Sequence, residues 1–384
     1  MTKVLFFNYE YPPLGGGAAN ATAYILREYS KIDGLEVNLI TSSFDKHFHL
    51  EKIGDNVKIY KIPIGKNGKN IHYQSQKDLL CYAWKAYWLS RKLIRKNHYD
   101  LTHSFFTVPC GFISLLLKWQ YKLPYIVSLR GSDVPEYNVR FSLLYKFLKP
   151  LIKLIWKKSS AVIANSQGLK DLALKTMPEK EIGIIYNGID TEQFKPQAKE
   201  KSDEFKILST SRLIPRKGIK YLILAAGQLI KKNKQIKIVL VSEGDEKEEL
   251  ENLAGRLGIS ENVQFAGSVD HAKISEFYNQ ADAFVMTSLN EGMSNTMLEA
   301  LASGLPIIST ETGGAKELVQ DGINGFLICM KNSEDLAEKI SRLMANDGLR
   351  ERMALESRKI AEKMSWKNVA EEYFKTYQKI NEKQ

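Results

Sequence analysis

Cysteine and histidine are scarce in this chain, with 3 and 6 among 384 residues. Cys81, Cys110 and Cys329 are too scattered for a disulfide framework and are expected to be ordinary buried thiols in a reducing cytosol. No grouping of His, Cys, Asp or Glu has metal-ligand spacing, so no metal is expected. A run of about 18 uncharged apolar residues is also missing, which excludes a membrane-spanning helix. The N-terminal MTKVLFFNYEYPP holds too short an apolar stretch for a signal peptide and reads as a first strand. Repeats and low-complexity tracts do not occur. What remains is 44% hydrophobic and 26% charged residues, a globular composition on a chain long enough for two domains.

Acidic charge is scarce in one half only. Residues 1–200 hold 29 lysines and arginines against 17 acids, whereas the rest of the chain holds 26 against 27. Most of the excess lies in 84–158, where 14 basic residues meet 3 acidic ones. Two stretches there, WKAYWLSRKLIRKNH from Trp84 to His98 and FSLLYKFLKPLIKLIWKK from Phe141 to Lys158, interleave bases with apolar residues at helical spacing. Doubly wound domains need amphipathic helices to cover their sheets, so one face of each stretch is expected to be buried. The basic rim is expected at an anionic membrane surface.

Short apolar runs alternate with helical patterns along the whole chain. Strands are expected at Val4–Asn8, Val37–Thr41, Val57–Ile62, Leu101–Phe105, Tyr125–Leu129, Ala161–Asn165 and Ile182–Tyr186. A second series follows at Phe205–Ser209, Ile238–Val241, Val263–Phe265, Ala283–Met286, Pro306–Ser309 and Gly325–Ile328. Such alternation predicts parallel sheets covered on both faces. The fold class is therefore α/β, with two doubly wound Rossmann-like domains facing a cleft. The first spans 1–190, the polar stretch 191–204 reads as a linker, and the second spans 205–365. The last helices run from about Ser333 with a break near Ser365-Trp366.

The densest signal is ADAFVMTSLNEGMSNTMLEALASGLPIISTETGGAKELV, beginning at Ala281. A strand breaks at Asn290-Glu291-Gly292 and restarts at Ser294 as a helix that stops at Gly304, with Pro306 just beyond. Ser294 is a good N-cap and Gly304 a good stop. A glycine-interrupted loop entering a helix leaves outward-pointing N–H groups, a ready anion site. Glu291 and Glu299 flank it. The same strand, glycine loop and helix occur at the start of the chain, around Gly15-Gly16-Gly17.

With these residues the chain resembles the family 4 retaining glycosyltransferases of GT-B architecture. Glu291-x7-Glu299 matches the family signature, and YPPLGGG (11–17), YNGIDTEQF (186–194), SRLIPRKG (211–218), VLVSEGDEKEEL (239–250) and FAGSVDHAKISEFYNQAD (265–282) follow in family order. The resemblance implies a metal-independent retaining transfer from a nucleotide sugar, UDP favoured, to a glycan or lipid-linked acceptor. Arg212 and Lys217 would clamp the donor diphosphate, where positive charge stabilises the departing phosphate. Glu299 would accept the ribose hydroxyls, and Glu291 would contact the donor sugar together with the amides of Met293, Ser294, Asn295 and Thr296. The base would lie near Val269 and Glu243, and Gly16 and Gly17 would face the donor from the first domain. The resemblance also implies that the helix from Trp366 onward returns to that domain. The mechanism associated with the family is front-face attack, with the leaving phosphate taking the proton.

One departure is plain. Where many relatives have a histidine before Gly-x-Asp, this chain has Arg130-Gly131-Ser132-Asp133. A guanidinium can still serve phosphate or sugar oxygens. Asp133 either contacts the sugar or caps the next segment, and His103 is either an acceptor contact or a satisfied core histidine. A glycosidase pair is excluded for Glu291 and Glu299. Eight mostly helical residues separate them by about 10 Å, whereas a retaining hydrolase needs about 5–5.5 Å. The alternatives are a nucleotide-sugar epimerase of the same fold and a nucleic-acid binder suggested only by the basic charge. The second lacks any recognised motif. The expected setting is cell-surface polysaccharide, lipopolysaccharide or glycolipid synthesis, in the cytoplasm or peripheral at the inner membrane face.

Overall fold

The computed structural model describes residues 1–66, 74–137, 142–198, 204–232, 235–271, 273–289 and 293–382. Contacts divide the chain into two units, 1–187 with 366–384, and 188–365.

The first unit runs β1 (Thr2–Phe7), α1 (Gly17–Tyr29), β2 (Leu35–Ser43), β3 (His49–Ile53), β4 (Val57–Pro63), α2 (Gln76–Lys96), β5 (Leu101–Phe105), α3 (Phe112–Tyr121), β6 (Tyr125–Ser128), α4 (Ser142–Lys158), β7 (Ala161–Ala164), α5 (Gln167–Thr176) and β8 (Ile182–Ile184). Its sheet has the order β3-β4-β2-β1-β5-β6-β7-β8. All pairs are parallel except β3 with β4, whose antiparallel register sets His49 opposite Lys61. The periodicity of the sequence gives no sign of β3. HLEKI is polar and lies at a sheet edge, so it has no buried face to pattern it. The central strands are apolar because both faces are covered. Val4, Phe6, Phe7, Leu39, Ile40 and Phe105 are all fully buried.

The second unit runs β9 (Phe205–Ser209), α6 (Ile219–Ile230), β10 (Ile236–Leu240), α7 (Lys247–Leu257), β11 (Val263–Phe265), α8 (Ile274–Gln280), β12 (Ala283–Met286), α9 (Asn295–Ala302), β13 (Ile307–Thr310), α10 (Ala315–Leu318), β14 (Gly325–Ile328), α11 (Ser333–Met344) and α12 (Asp347–Lys363). Its sheet is wholly parallel in the order β11-β10-β9-β12-β13-β14. The helix α13 (Trp366–Asn381) then belongs to the first unit. Its residues Trp366, Val369, Ala370, Tyr373, Tyr377 and Ile380 form one buried stripe at helical spacing in that unit's core.

The stretch 191–204, read as a linker from its polarity, is packed at its start, over 191–194. Phe194 is buried in the second unit's core. The Arg358 guanidinium donates to the carbonyls of Thr191, Phe194 and Ala302 at 3.2, 2.9 and 2.8 Å. One aromatic side chain and one arginine fasten a segment whose composition reads as loose.

Candidate functional site

In an open parallel sheet, ligands gather at the carboxyl ends of the strands, where the strand order reverses. In the second unit that point lies between β9 and β12. Arg212 and Lys217 follow β9, Glu243 follows β10, Val269 follows β11, and Met293 to Thr296 with Glu299 follow β12.

Backbone contacts draw these loops together. The loop after β10 docks on the loop after β9: Leu213 N donates to Glu243 O at 3.1 Å and Glu246 N donates to Leu213 O at 3.0 Å. A Cβ on Gly244 would lie 2.2 Å from Leu213 O, so only glycine allows this approach. The β9 loop then leans on the end of β12. Leu289 N donates to Arg216 O at 2.8 Å, and Thr287 Oγ1 donates to Lys217 O at 3.1 Å. Gly218 has φ 62°, and a Cβ there would meet Thr287 O at 2.4 Å. Lys217 is thereby held, half-buried, beside the strand end that leads into α9, while Arg212 is exposed.

Ser294 caps α9, its Oγ accepting from Met297 N at 3.4 Å, and Gly304 beyond the last turn is left-handed at φ 69°. Both ends match their sequence signals. Helix geometry gives the N–H groups of the first turn no intrahelical acceptor, and the Ser294 cap takes one of them, that of Met297. Glu291, between β12 and α9, lies outside the described residues.

Glu299 is nearly buried and oriented by two side chains that the sequence does not single out. Tyr278, fully buried on α8, donates to Glu299 Oε2 at 2.8 Å and also bonds Thr210 Oγ1 at 2.9 Å. His271 Nε2 lies 3.3 Å from Glu299 Oε1. That hydrogen bond raises the His271 pKa above its ordinary value, against the effect of partial burial. The His271 backbone is held in turn, its carbonyl accepting from Gln193 Nε2 at 2.9 Å. No spacing rule links 271, 278 and 299, since tertiary packing brings α8 and the loop before it onto α9. Glu243 is exposed and paired with Lys247 at 3.4 Å, and Val269 packs half-buried at the edge of the core.

The first unit's candidates gather around the β1–β5 reversal, with two corrections. His103 sits within β5 and is fully buried, stacked on Phe6 at 4.6 Å. Its Nδ1 bonds the Tyr377 hydroxyl and its Nε2 bonds Ser128 Oγ, at 2.7 and 2.8 Å. Burial holds its pKa well below the usual value. Both nitrogens are engaged out of solvent, so His103 is a core histidine and not an acceptor contact. Asp133 accepts from Thr107 N, Thr107 Oγ1, Arg130 N and Gly131 N at 2.9 to 3.1 Å, which makes it the organiser of its loop. Arg130 lies over the Phe105 ring at 3.6 Å and donates to Asn187 Oδ1 at 2.8 Å.

The second correction concerns Gly16, the residue before α1, and Gly17, its first. The resemblance has both facing the donor; both are exposed, and the Gly16 N–H is engaged by the Glu10 carboxylate. Burial pushes the pKa of that carboxyl from 4.5 to about 7. A Cβ on Gly15 would lie 2.7 Å from Glu10 Oε2, so the carboxylate and the glycine loop are moulded to each other. The sequence signal was present, a lone acid between β1 and Pro12-Pro13.

A carboxyl whose folded pKa is raised binds its proton more tightly in the folded chain. Its stabilisation is full below the unfolded value and is lost as pH rises through about 7. Glu10→Gln is therefore expected to remove a decline of up to about 3 kcal/mol across that window. Melting curves of both proteins over a pH series check this. A difference between them that stays constant with pH would refute it.

Residues 15–193 match the model described as Glycosyltransferase Family 4, and residues 190–360 match Glycosyl transferases group 1. An uncharacterized glycosyltransferase of Methanocaldococcus jannaschii is 28% identical over 396 residues, spanning 98% of this chain and 97% of that protein. Sucrose-phosphate synthase from Thermosynechococcus elongatus has a similar structure, with a TM-score of 0.81 at 19% identity over 100% of both chains. Anabaena HepE in complex with UDP and glucose gives a TM-score of 0.70 at 21% identity, over 98% of this chain and 99% of that one. Two family models that together cover most of the chain, and two Rossmann-like units with these structural neighbours, give one answer: the chain belongs to the family 4, group 1 glycosyltransferases and has the GT-B fold.

Proposed function

We propose that the protein transfers a hexosyl or N-acetylhexosaminyl group from a nucleotide sugar, with retention of configuration, to a glycan or lipid-linked acceptor. The observation that supports this best is the convergence at the second sheet's reversal point. The loop carrying Arg212 and Lys217 is bonded to the strand end entering α9, whose next turn holds Glu299. The cations would face the donor diphosphate, the first turn of α9 the sugar and distal phosphate, and Glu299 the ribose. Positive charge fixed where the diphosphate departs is the main electrostatic requirement of glycosyl transfer. Glu291 is assigned to positioning the donor sugar. UDP is the favoured nucleotide, in keeping with the UDP bound in the similar HepE structure. Fixed cations take the part of a metal, and the proposed setting is envelope glycan synthesis at the inner membrane face.

The test is a panel of UDP-, GDP- and ADP-sugars, read first by thermal shift and then by product formation with EDTA present. One nucleotide class should stabilise the protein, EDTA should leave turnover unchanged, and the product's anomeric configuration should match the donor's. Stabilisation by none of the panel would overturn the reading. Turnover of a UDP-sugar without acceptor, to a new sugar and not to hydrolysis products, would identify an epimerase instead.

A further inference from the structure

The helices α2, α3 and α4 lie side by side in the first unit. Polar contacts fasten them: Tyr87 Oη donates to Gln120 Oε1 at 3.1 Å, Arg91 Nε to Tyr121 Oη at 3.4 Å, and Lys118 Nζ to Lys158 O at 2.7 Å. The inward face of α2 is conventional, with Tyr82, Ala86, Ser90 and Leu93 buried. Its outward face is not. Leu80, Trp84 and Trp88 recur every four residues and are 73, 66 and 48% exposed. Trp119 on α3 is 57% exposed and Phe147 on α4 is 76% exposed. One face of α2 is buried as expected, and the outward face carries tryptophans as well as the basic rim. Trp84 meets Trp88 edge to face at 5.7 Å, and the Arg91 guanidinium stands over the Trp88 ring at 4.7 Å.

Charge says what covers this face. Lys77, Lys85, Lys92, Arg95 and Lys96 are exposed on α2, and Lys153, Lys157 and Lys158 on α4. Over the full length of the three helices the only acid is Asp78, which is used in the α2 capping box and paired with Lys66 at 3.2 Å. A second copy of the chain would set like charges against like. Indole rings among lysines and arginines, with no carboxylate between them, are instead the pattern of a surface that rests in the headgroup region of an anionic bilayer.

We propose that the outer face of α2, α3 and α4 is a docking surface for anionic lipid bilayers, with Leu80, Trp84, Trp88 and Trp119 entering the interface and the surrounding bases contacting lipid phosphates. Binding is read without any sugar donor, so its failure leaves the transferase reading untouched.

The test is cosedimentation of the full chain with phosphatidylcholine vesicles, with and without phosphatidylglycerol. The protein should pellet with the anionic vesicles, its tryptophan emission should shift to the blue, and added salt should weaken binding. Lys92→Glu with Arg95→Glu should lower partitioning roughly tenfold or more. Trp84→Ser with Trp88→Ser should lower it by about tenfold. Both pairs are exposed, so both variants should keep the wild-type melting curve and the wild-type response to nucleotide sugars. Wild-type protein left in the supernatant at low salt would overturn the proposal, and so would variants that partition like wild type. A lipid-free dimer abolished by the tryptophan pair would assign the face to a second copy and overturn it as well. Displacement from vesicles by an oligonucleotide at equal charge would do the same in favour of nucleic acid.

Discussion

Lys217→Ala is expected to lower kcat by about 10²- to 10³-fold with a modest change in KM, whereas Glu299→Gln is expected mainly to raise KM. The asymmetry follows from where each group would act. An ammonium beside the departing diphosphate interacts more strongly as negative charge develops, and an interaction realised in the transition state appears in kcat. A carboxylate that holds ribose hydroxyls serves ground state and transition state alike, and its loss appears as uniform binding. Glutamine is the informative replacement because it can still accept from the Tyr278 hydroxyl, which donates to Glu299 Oε2 in the buried cluster. Alanine would remove that acceptor and open space in a buried cluster, mixing stability with binding. Initial rates over a donor series separate the two parameters. A kcat effect confined to Glu299→Gln and a KM effect confined to Lys217→Ala would reverse the assignment, and full activity in either variant would remove that residue from the site.

Deleting residues 366–384 is expected to leave the first unit unable to fold stably. Five of the six buried residues of α13 are large: Trp366, Val369, Tyr373, Tyr377 and Ile380. Trp366 stacks on Tyr24 at 5.3 Å, and the Tyr377 hydroxyl bonds both Tyr29 Oη and His103 Nδ1 at 2.7 Å. The Tyr373 hydroxyl accepts from Ser128 Oγ at 3.1 Å. Truncating one large buried aromatic costs about 3–5 kcal/mol, while a whole domain is stable by only about 5–15 kcal/mol. Loss of the complete stripe, with Tyr29 and His103 left without their partner, exceeds that margin. A graded version is available in Tyr377→Phe, which keeps the ring and should cost about 1–3 kcal/mol, and Tyr377→Ala, which should cost about 3–5 kcal/mol. At roughly 2–4 °C per kcal/mol for a unit of this size, the second lowers Tm by about 10 °C. A truncated protein that melts with wild type would show that α13 contributes nothing to the first unit.

His103 and Asp133 show how far the sequence could be read before the structure was needed. At each, two roles stayed open because residue type and position admitted both. The structure chose by partner: two satisfied ring nitrogens for His103, and for Asp133 two donors from its own loop and two from Thr107 after β5. Tyr278 and His271 matter through what they touch, and no spacing encodes a contact of α8 and its preceding loop with α9. The strand β3 escaped notice for a different reason. An exposed edge strand needs no apolar alternation, and periodicity is then silent.

Sequence alone determined the α/β class, nearly every strand, the Ser294 cap and Gly304 stop of α9, and the family. All of these depend on local pattern: period, capping chemistry, or motifs in order. The loop that carries Arg212 and Lys217 is marked by the family motif SRLIPRKG. Only tertiary structure decided that the Glu10 carboxylate meets the Gly16 N–H, which residues of the returning α13 enter the first unit's core, and that the tryptophans of α2 point outward. Each of those outcomes turns on which surface meets which, and a helix's hydrophobic period is the same whether its apolar side faces a sheet or is left for a partner. That is why the basic, aromatic half of the chain could be noticed in the sequence but assigned a surface only in the fold.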